Sequence, residues 1–223
     1  RGLAALVQSP DGERQLLALD GLAALDRSAL QQRRLVHLPL VLAPWTQRVL
    51  LVADDLGESA AAALQHQRPE LIWLRPFPVP WNVLSDEQRG RLQEAHGNER
   101  LQLARAQAPY DLIVMAPDPR VRRRAALVGT DGFFRDCAAN LNDTGLLCQW
   151  WDLSSIDVTD LKSVIGGALA AFEHVYLALD HPRSRRPCLA ILASQRPLRI
   201  SPAAVERSLA EHPGVAADWA AAG

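Results

Sequence analysis

Six short apolar runs punctuate this chain: Arg48–Ala53 (RVLLVA), Glu70–Leu74 (ELIWL), Asp111–Ala116 (DLIVMA), Gly145–Trp151 (GLLCQWW), His174–Leu179 (HVYLAL) and Leu189–Ser194 (LAILAS). Each is too short for a buried helix and too continuous for a strand with one wet face. Such runs suit strands covered on both sides. Between them lie stretches that read as helices: Glu58–His66, rich in alanine; Ser85–Glu94, opening with a capping box of Ser85 and Gln88; Arg100–Ala108; Thr130–Asn140; and Thr159–Phe172. Alternation of this kind predicts one α/β sheet of about seven strands, mostly parallel, with helices on both faces. The last two runs are close in sequence and are able to pair as an antiparallel hairpin at the sheet edge.

The ends of the chain differ from its middle. Leu3 to Asp20 reads as a β-hairpin turning at Pro10-Asp11-Gly12, and is expected to stand apart from the main sheet. Ser28–Leu42 reads as a helix capped by Ser28, with Pro39 expected to break or end it. Asn142 to Gly145 reads as a turn, and Pro202–Ala210 as a helical tail. The expected division is a hairpin and leading helix over 1–44, a Rossmann-like core over 45–200 and a tail over 201–223.

Charge and cysteine usage exclude several classes. The net charge of −1 offers no footprint for nucleic acid or an anionic membrane surface. Lys162 is the only lysine, and the arginines are scattered. Cys137, Cys148 and Cys188 are dispersed and odd in number, which argues against disulfides and a zinc site and for buried small hydrophobes. No run approaches the length of a membrane span, and no signal-peptide pattern is present. The first residue is Arg1, so the chain is expected to be a piece of something longer.

The order of several segments resembles the spermidine synthase (polyamine aminopropyltransferase) family. Arg34-Leu35-Val36-His37-Leu38-Pro39-Leu40 followed by Arg48-Val49-Leu50 looks like the approach to that family's core. Tyr110–Val114 looks like its fourth strand, Thr130-Asp131-Gly132-Phe133-Phe134 like its T-x-E-F-F helix, and Gly145–Trp150 like its fifth strand. The resemblance spans about residues 3 to 220 and is nearest the bacterial branch often fused behind membrane helices. It implies a methyltransferase-like fold binding S-adenosylmethionine or its decarboxylated form, in the cytoplasm or at the cytoplasmic face of a membrane.

The same resemblance locates the positions where the chemistry departs. The family's G-x-G-x-G turn falls on Ala53, Asp55 and Gly57. Its acidic ribose acceptor falls on Arg75, which only donates. Its D-G-R segment reads His96-Gly97-Asn98, and its general-base carboxylate falls on Ala116. The vestigial ligand-binding set is therefore Asp55, Gly57, Arg75, His96 and Gly97. Asp118 is the one possible catalytic residue. The expected function is a domain that has lost aminopropyl transfer, needs no cofactor and acts as a binding or scaffold module in an assembly. The alternative is an active aminopropyl or methyl transferase using Asp118 in a remodelled pocket.

Remaining candidates have plainer readings. Arg122-Arg123-Arg124 reads as a solvated loop before a phosphate clamp, His37 as a structural core position, and His96 as a surface residue. Asp54-Asp55 lacks the further spaced ligands a cation needs. Trp150 is expected in the core. Trp45, Trp81 and Trp151 are expected at the surface, and motivate association with a second copy or another protein.

Overall fold

In a computed structural model the described residues are 4–8, 14–18, 29–53, 55, 57–68, 70–75, 84–116, 127–180 and 187–221. Ser28, Trp81, Asp54, Asp118 and Arg122 to Arg124 lie outside them. Strands β1 (Ala4–Gln8) and β2 (Arg14–Ala18) form the expected antiparallel hairpin as a separate two-stranded sheet. The main sheet contains β3 (Arg48–Val52), β4 (Glu70–Arg75), β5 (Gln93–His96), β6 (Tyr110–Met115), β7 (Leu141–Asp152), β8 (His174–Asp180) and β9 (Cys188–Ser194). Their spatial order is β5-β4-β3-β6-β7-β9-β8. Pairings are parallel from β5 through β7, while β9 runs antiparallel to both β7 and β8.

Helices α1 (Ala29–Leu42) and α2 (Glu58–Gln65) cover one face, and α4 (Glu99–Ala104), α5 (Asp131–Ala139) and α6 (Val158–Ala171) the other, with the short α3 (Asp86–Gly90) between β4 and β5. The sequence runs alternate between these two layers. Val49, Leu51, Leu71, Trp73, Leu112 and Val114 pack with α1 and α2, whereas Leu50, Val52, Ile72, Leu74, Ile113 and Met115 pack with α5 and α6. A strand with both faces buried has no polar side to show, which is why its run is continuous. Cys137, Cys148 and Cys188 are free thiols buried in these layers.

Four segments depart from expectation. The helix beginning at Ser85 has its capping box, with Gln88 N–H donating to Ser85 Oγ at 3.2 Å and Ser85 N–H to Gln88 Oε1 at 2.9 Å. It stops at Gly90 as α3 (Asp86–Gly90), and Gln93–His96 is a strand. Asn142 to Gly145 do not separate β7 from what precedes it. They form an irregularity within the strand, where its register against β6 shifts. Trp151 is buried, not exposed. Pro39 lies inside α1 without ending it. A proline removes the N–H that would bond the carbonyl four residues earlier, here that of Leu35. Trp150 Nε1 donates to that Leu35 carbonyl at 2.8 Å, so the orphaned acceptor is satisfied from β7. The tail holds α7 (Pro202–Glu211) and a further helix, α8 (Pro213–Ala220).

Helix α8 is clipped to α1 and α2 through buried polar groups. His37 Nε2 lies 3.0 Å from Asp218 Oδ2, and His37 Nδ1 lies 3.0 Å from His66 Nε2. Asp218 also accepts from Gln65 Nε2 at 3.2 Å and faces Arg33 at 3.5 Å. A carboxylate accepts, so His37 Nε2 carries a proton; His37 Nδ1 then accepts from His66 Nε2–H. His37 is thus structural, as expected. Burial pushes His66 down to about 2, helped by His37, Arg68 and His212. Burial also lowers His37, against the pull of Asp218. Both histidines are neutral above about pH 6.5, folded or unfolded, and stability there is independent of them. Below that the unfolded chain takes up protons that the folded chain refuses. Stability then falls by up to about 1.4 kcal/mol per pH unit for each histidine. The Asp218 carboxyl adds to this lower down: burial would raise it, but bonds from His37 and Gln65 hold it below its ordinary value. In urea unfolding these groups are expected to contribute no pH dependence from about 8 to 7 and a steep loss of stability from about 6.5 to 4.5. His66→Asn should flatten that slope by about one proton. An unchanged slope in His66→Asn would refute the origin given.

Candidate functional site

Between β3 and β6 the chain reverses its direction of travel across the sheet: β4 and β5 lie on one side and β7 on the other. In open α/β sheets a ligand crevice forms at such a point, outside the carboxyl ends of the strands. Here that edge is made by Ala53, Asp55 and Gly57 after β3, Arg75 ending β4, His96 and Gly97 ending β5, and Ala116 after β6.

The turn after β3 is stabilised by its own side chain. Gly57 has φ 102°, a conformation open to glycine, and precedes the first residue of α2. The buried Asp55 carboxylate accepts from the Gly57 N–H at 2.7 Å and the Ser59 N–H at 3.2 Å. These are donors that a helix start leaves without an internal partner, and the Asp55 carboxylate satisfies them. Desolvation raises its carboxyl above the usual range, against those hydrogen bonds.

At the end of β4 the side chains are buried and paired with their neighbours. Alternation along the strand puts Trp73 and Arg75 on the α1/α2 side. Trp73 is fully buried and donates from Nε1 to the Ala53 carbonyl at 3.2 Å, tying β4 to the turn. The Arg75 guanidinium lies over the Trp73 ring, 4.7 Å from its centroid, and donates to Glu94 Oε1 at 2.8 Å. Arg75 is only 4 % exposed. A cation on an indole face with a carboxylate beside it is a favourable, partly desolvated arrangement. His96 stands at the mouth, half exposed, with Nε2 3.7 Å from Glu94 Oε1. Gly97, φ 122°, donates its N–H to the Arg75 carbonyl at 3.3 Å. Ala116 donates its N–H to the Val52 carbonyl at 2.9 Å and packs on the α1/α2 layer.

The structure therefore brings Arg75, His96 and Gly97 together and sets Asp55 and Gly57 at the adjoining strand end. Glu94 was missed in the sequence because Ser85–Glu94 reads as one helix. Gly90 was the available stop signal. The strand after it is short, polar and at the sheet edge, where neither burial nor β-branched residues mark it. On β7, Asp152 is buried and accepts from Ser154 N–H at 2.9 Å and Ser154 Oγ at 2.6 Å. Among the described residues no group of three or more His, Cys, Asp or Glu is placed to hold a metal ion. A cavity of about 620 Å³ beside Trp45, Thr144, Ser194 and Arg199 opens at the opposite ends of the strands, away from these residues.

No protein-family model matches the chain, and no curated protein matches its sequence. Solved structures do share its fold. A spermidine synthase from Thermotoga maritima has a TM-score of 0.67 at 16% identity, over 97% of this chain and 84% of its own. A spermidine synthase in complex with the transition-state analogue AdoDATO has a TM-score of 0.66 at 15% identity, over 97% and 83%. Human methyltransferase-like protein 13, in complex with SAH, has 0.58 at 15% identity, over 84% and 90%. The chain thus has the Rossmann-like fold shared by spermidine synthases and methyltransferases. Among the described residues no helix is long and apolar enough to cross a membrane.

Proposed function

We propose that this chain is a spermidine-synthase-like domain whose nucleoside crevice is closed by its own side chains, and that it serves as a binding or scaffold module in an assembly. The observation that carries the reading is Arg75. It is buried on Trp73 and paired to Glu94 at the strand end where the family resemblance expects a ribose acceptor. Asp55 acts in the same direction by capping the backbone donors of the turn. The module needs no cofactor, and its place is the cytoplasm or the cytoplasmic face of a membrane to which a fused segment would attach it. The second reading is an aminopropyl or methyl transferase with a remodelled pocket that uses Asp118. It is favoured by the AdoDATO and SAH held in two of the similar folds.

Calorimetry separates the two. A ligand hydroxyl facing a donor instead of an acceptor, and a backbone approach blocked by a carboxylate, each cost about 1–3 kcal/mol. Together they weaken binding by about two to four powers of ten. Titration with S-adenosylmethionine or its decarboxylated form is expected to give no micromolar affinity. Asp55→Gly combined with Arg75→Gln should recover part of it. Glutamine supplies an acceptor without a second charge beside Glu94. Micromolar binding by the unmodified chain would sink the closed-crevice reading.

A further inference from the structure

The two edges of the main sheet are built differently. The β5 edge is four residues long and includes Glu94, the short and charged form that discourages pairing. The β8 edge is seven residues long and pairs with β9 in unbroken register from His174 to Asp180. Between those ends lie Val175, Tyr176, Leu177, Ala178 and Leu179, with no charge, proline or bulge. Leu177 and Leu179 are 52% and 50% exposed. A long, regular, apolar edge is an open template for another strand.

We propose that β8 pairs antiparallel with β8 of a second copy, across a two-fold axis at Leu177. Such pairing is self-complementary in a way that a parallel one is not. His174 falls opposite Asp180 of the second copy, Val175 opposite its Leu179, Tyr176 opposite its Ala178, and Leu177 opposite its own counterpart. Each strand thus presents an imidazole at one end to a carboxylate at the other, twice over. Asp180 already accepts from Arg34 and Gln31 on α1, yet a carboxylate has lone pairs for a further donor. On the α5/α6 side, where Val175 packs, alternation places Leu177 and Leu179 as well. Two-fold symmetry joins these three with their counterparts into one covered patch. The same surface on both partners makes a closed, isologous contact, and the free edges disappear within a continuous sheet. The pairing is independent of the closed crevice and forms whether or not a nucleoside binds.

Sedimentation equilibrium of the 223-residue chain is expected to show a dimer. Leu177→Lys sets two ammonium groups against each other at the axis and should give a monomer with an unchanged circular dichroism spectrum, since Leu177 is half exposed. Register is tested by cysteine. Leu177→Cys should cross-link to its counterpart under mild oxidation, because directly opposed Cα atoms lie about 4.5–5.5 Å apart. Leu179→Cys should not, since four residues of offset separate the thiols by about 13 Å. The native thiols are buried. A monomeric unmodified chain overturns the proposal. So does a dimer that survives Leu177→Lys, or one in which Leu179→Cys cross-links as well as Leu177→Cys.

Discussion

Supplied with putrescine and decarboxylated S-adenosylmethionine, the chain is expected to transfer no aminopropyl group. The acceptor amine is protonated at neutral pH and must lose that proton before it attacks. A positioned base contributes about 10² to 10⁴ in rate. The position where the family resemblance expects the base is Ala116, whose side chain packs on the core. The carboxylates described at this edge are engaged elsewhere: Asp55 by Gly57 and Ser59, Glu94 by Arg75, Asp152 by Ser154. Arg75 would also misplace the donor carbon, and poor orientation costs about 10²-fold. The combined deficit is about four to six powers of ten. A radiolabelled transfer assay measures it, with Ala116→Asp and Arg75→Gln made together as the comparison. Activity gained by that variant would support the position of the lost site. Turnover by the unmodified chain that vanishes in Asp118→Asn would instead establish a working transferase, with Asp118 as its base.

Replacing Trp150 should have the largest effect on stability. Trp150→Ala removes a buried indole, for which about 3–5 kcal/mol is usual. It also strands the Leu35 carbonyl inside α1. Trp150→Phe separates the two contributions, since it keeps most of the apolar volume and loses only the donor. That loss should cost about 1–3 kcal/mol. Pro39→Ala introduces an N–H able to reach the same carbonyl along the helix. In the Trp150→Phe background it should therefore restore about 1 kcal/mol more than it does in the unmodified chain. Denaturant unfolding of the four proteins completes the cycle. Simple additivity would mean that the tryptophan and the proline are not coupled through Leu35.

Much of the fold was legible because both-face burial writes itself into a strand as a continuous apolar run. RVLLVA, ELIWL and DLIVMA announce β3, β4 and β6, and the short connection after HVYLAL announces the antiparallel β8 and β9. The capping box at Ser85 located the start of α3 to the residue. Local chemistry of this kind depends on neighbours a few positions away, and these are in the sequence. The order of segments also indicated the fold that the solved structures share, and so the strand ends where a crevice belongs.

What the sequence left open depends on groups far apart along the chain. Pro39 reads as a helix breaker because its missing N–H is local, whereas the compensating donor, Trp150, comes from β7. Arg75 reads as a lost acceptor. That it is buried, with Trp73 beneath it and Glu94 beside it, required β5 to pair with β4. Trp151 reads as an exposed residue at the end of its strand, but β7 continues to Asp152 and Trp151 is buried. His37 and Asp218 stand at opposite ends of the sequence, and only the docking of α8 makes them partners. Residue types and spacing determined the elements and their class. Tertiary contact decided which polar groups are satisfied, because a buried donor or acceptor takes whatever partner the packing brings within reach.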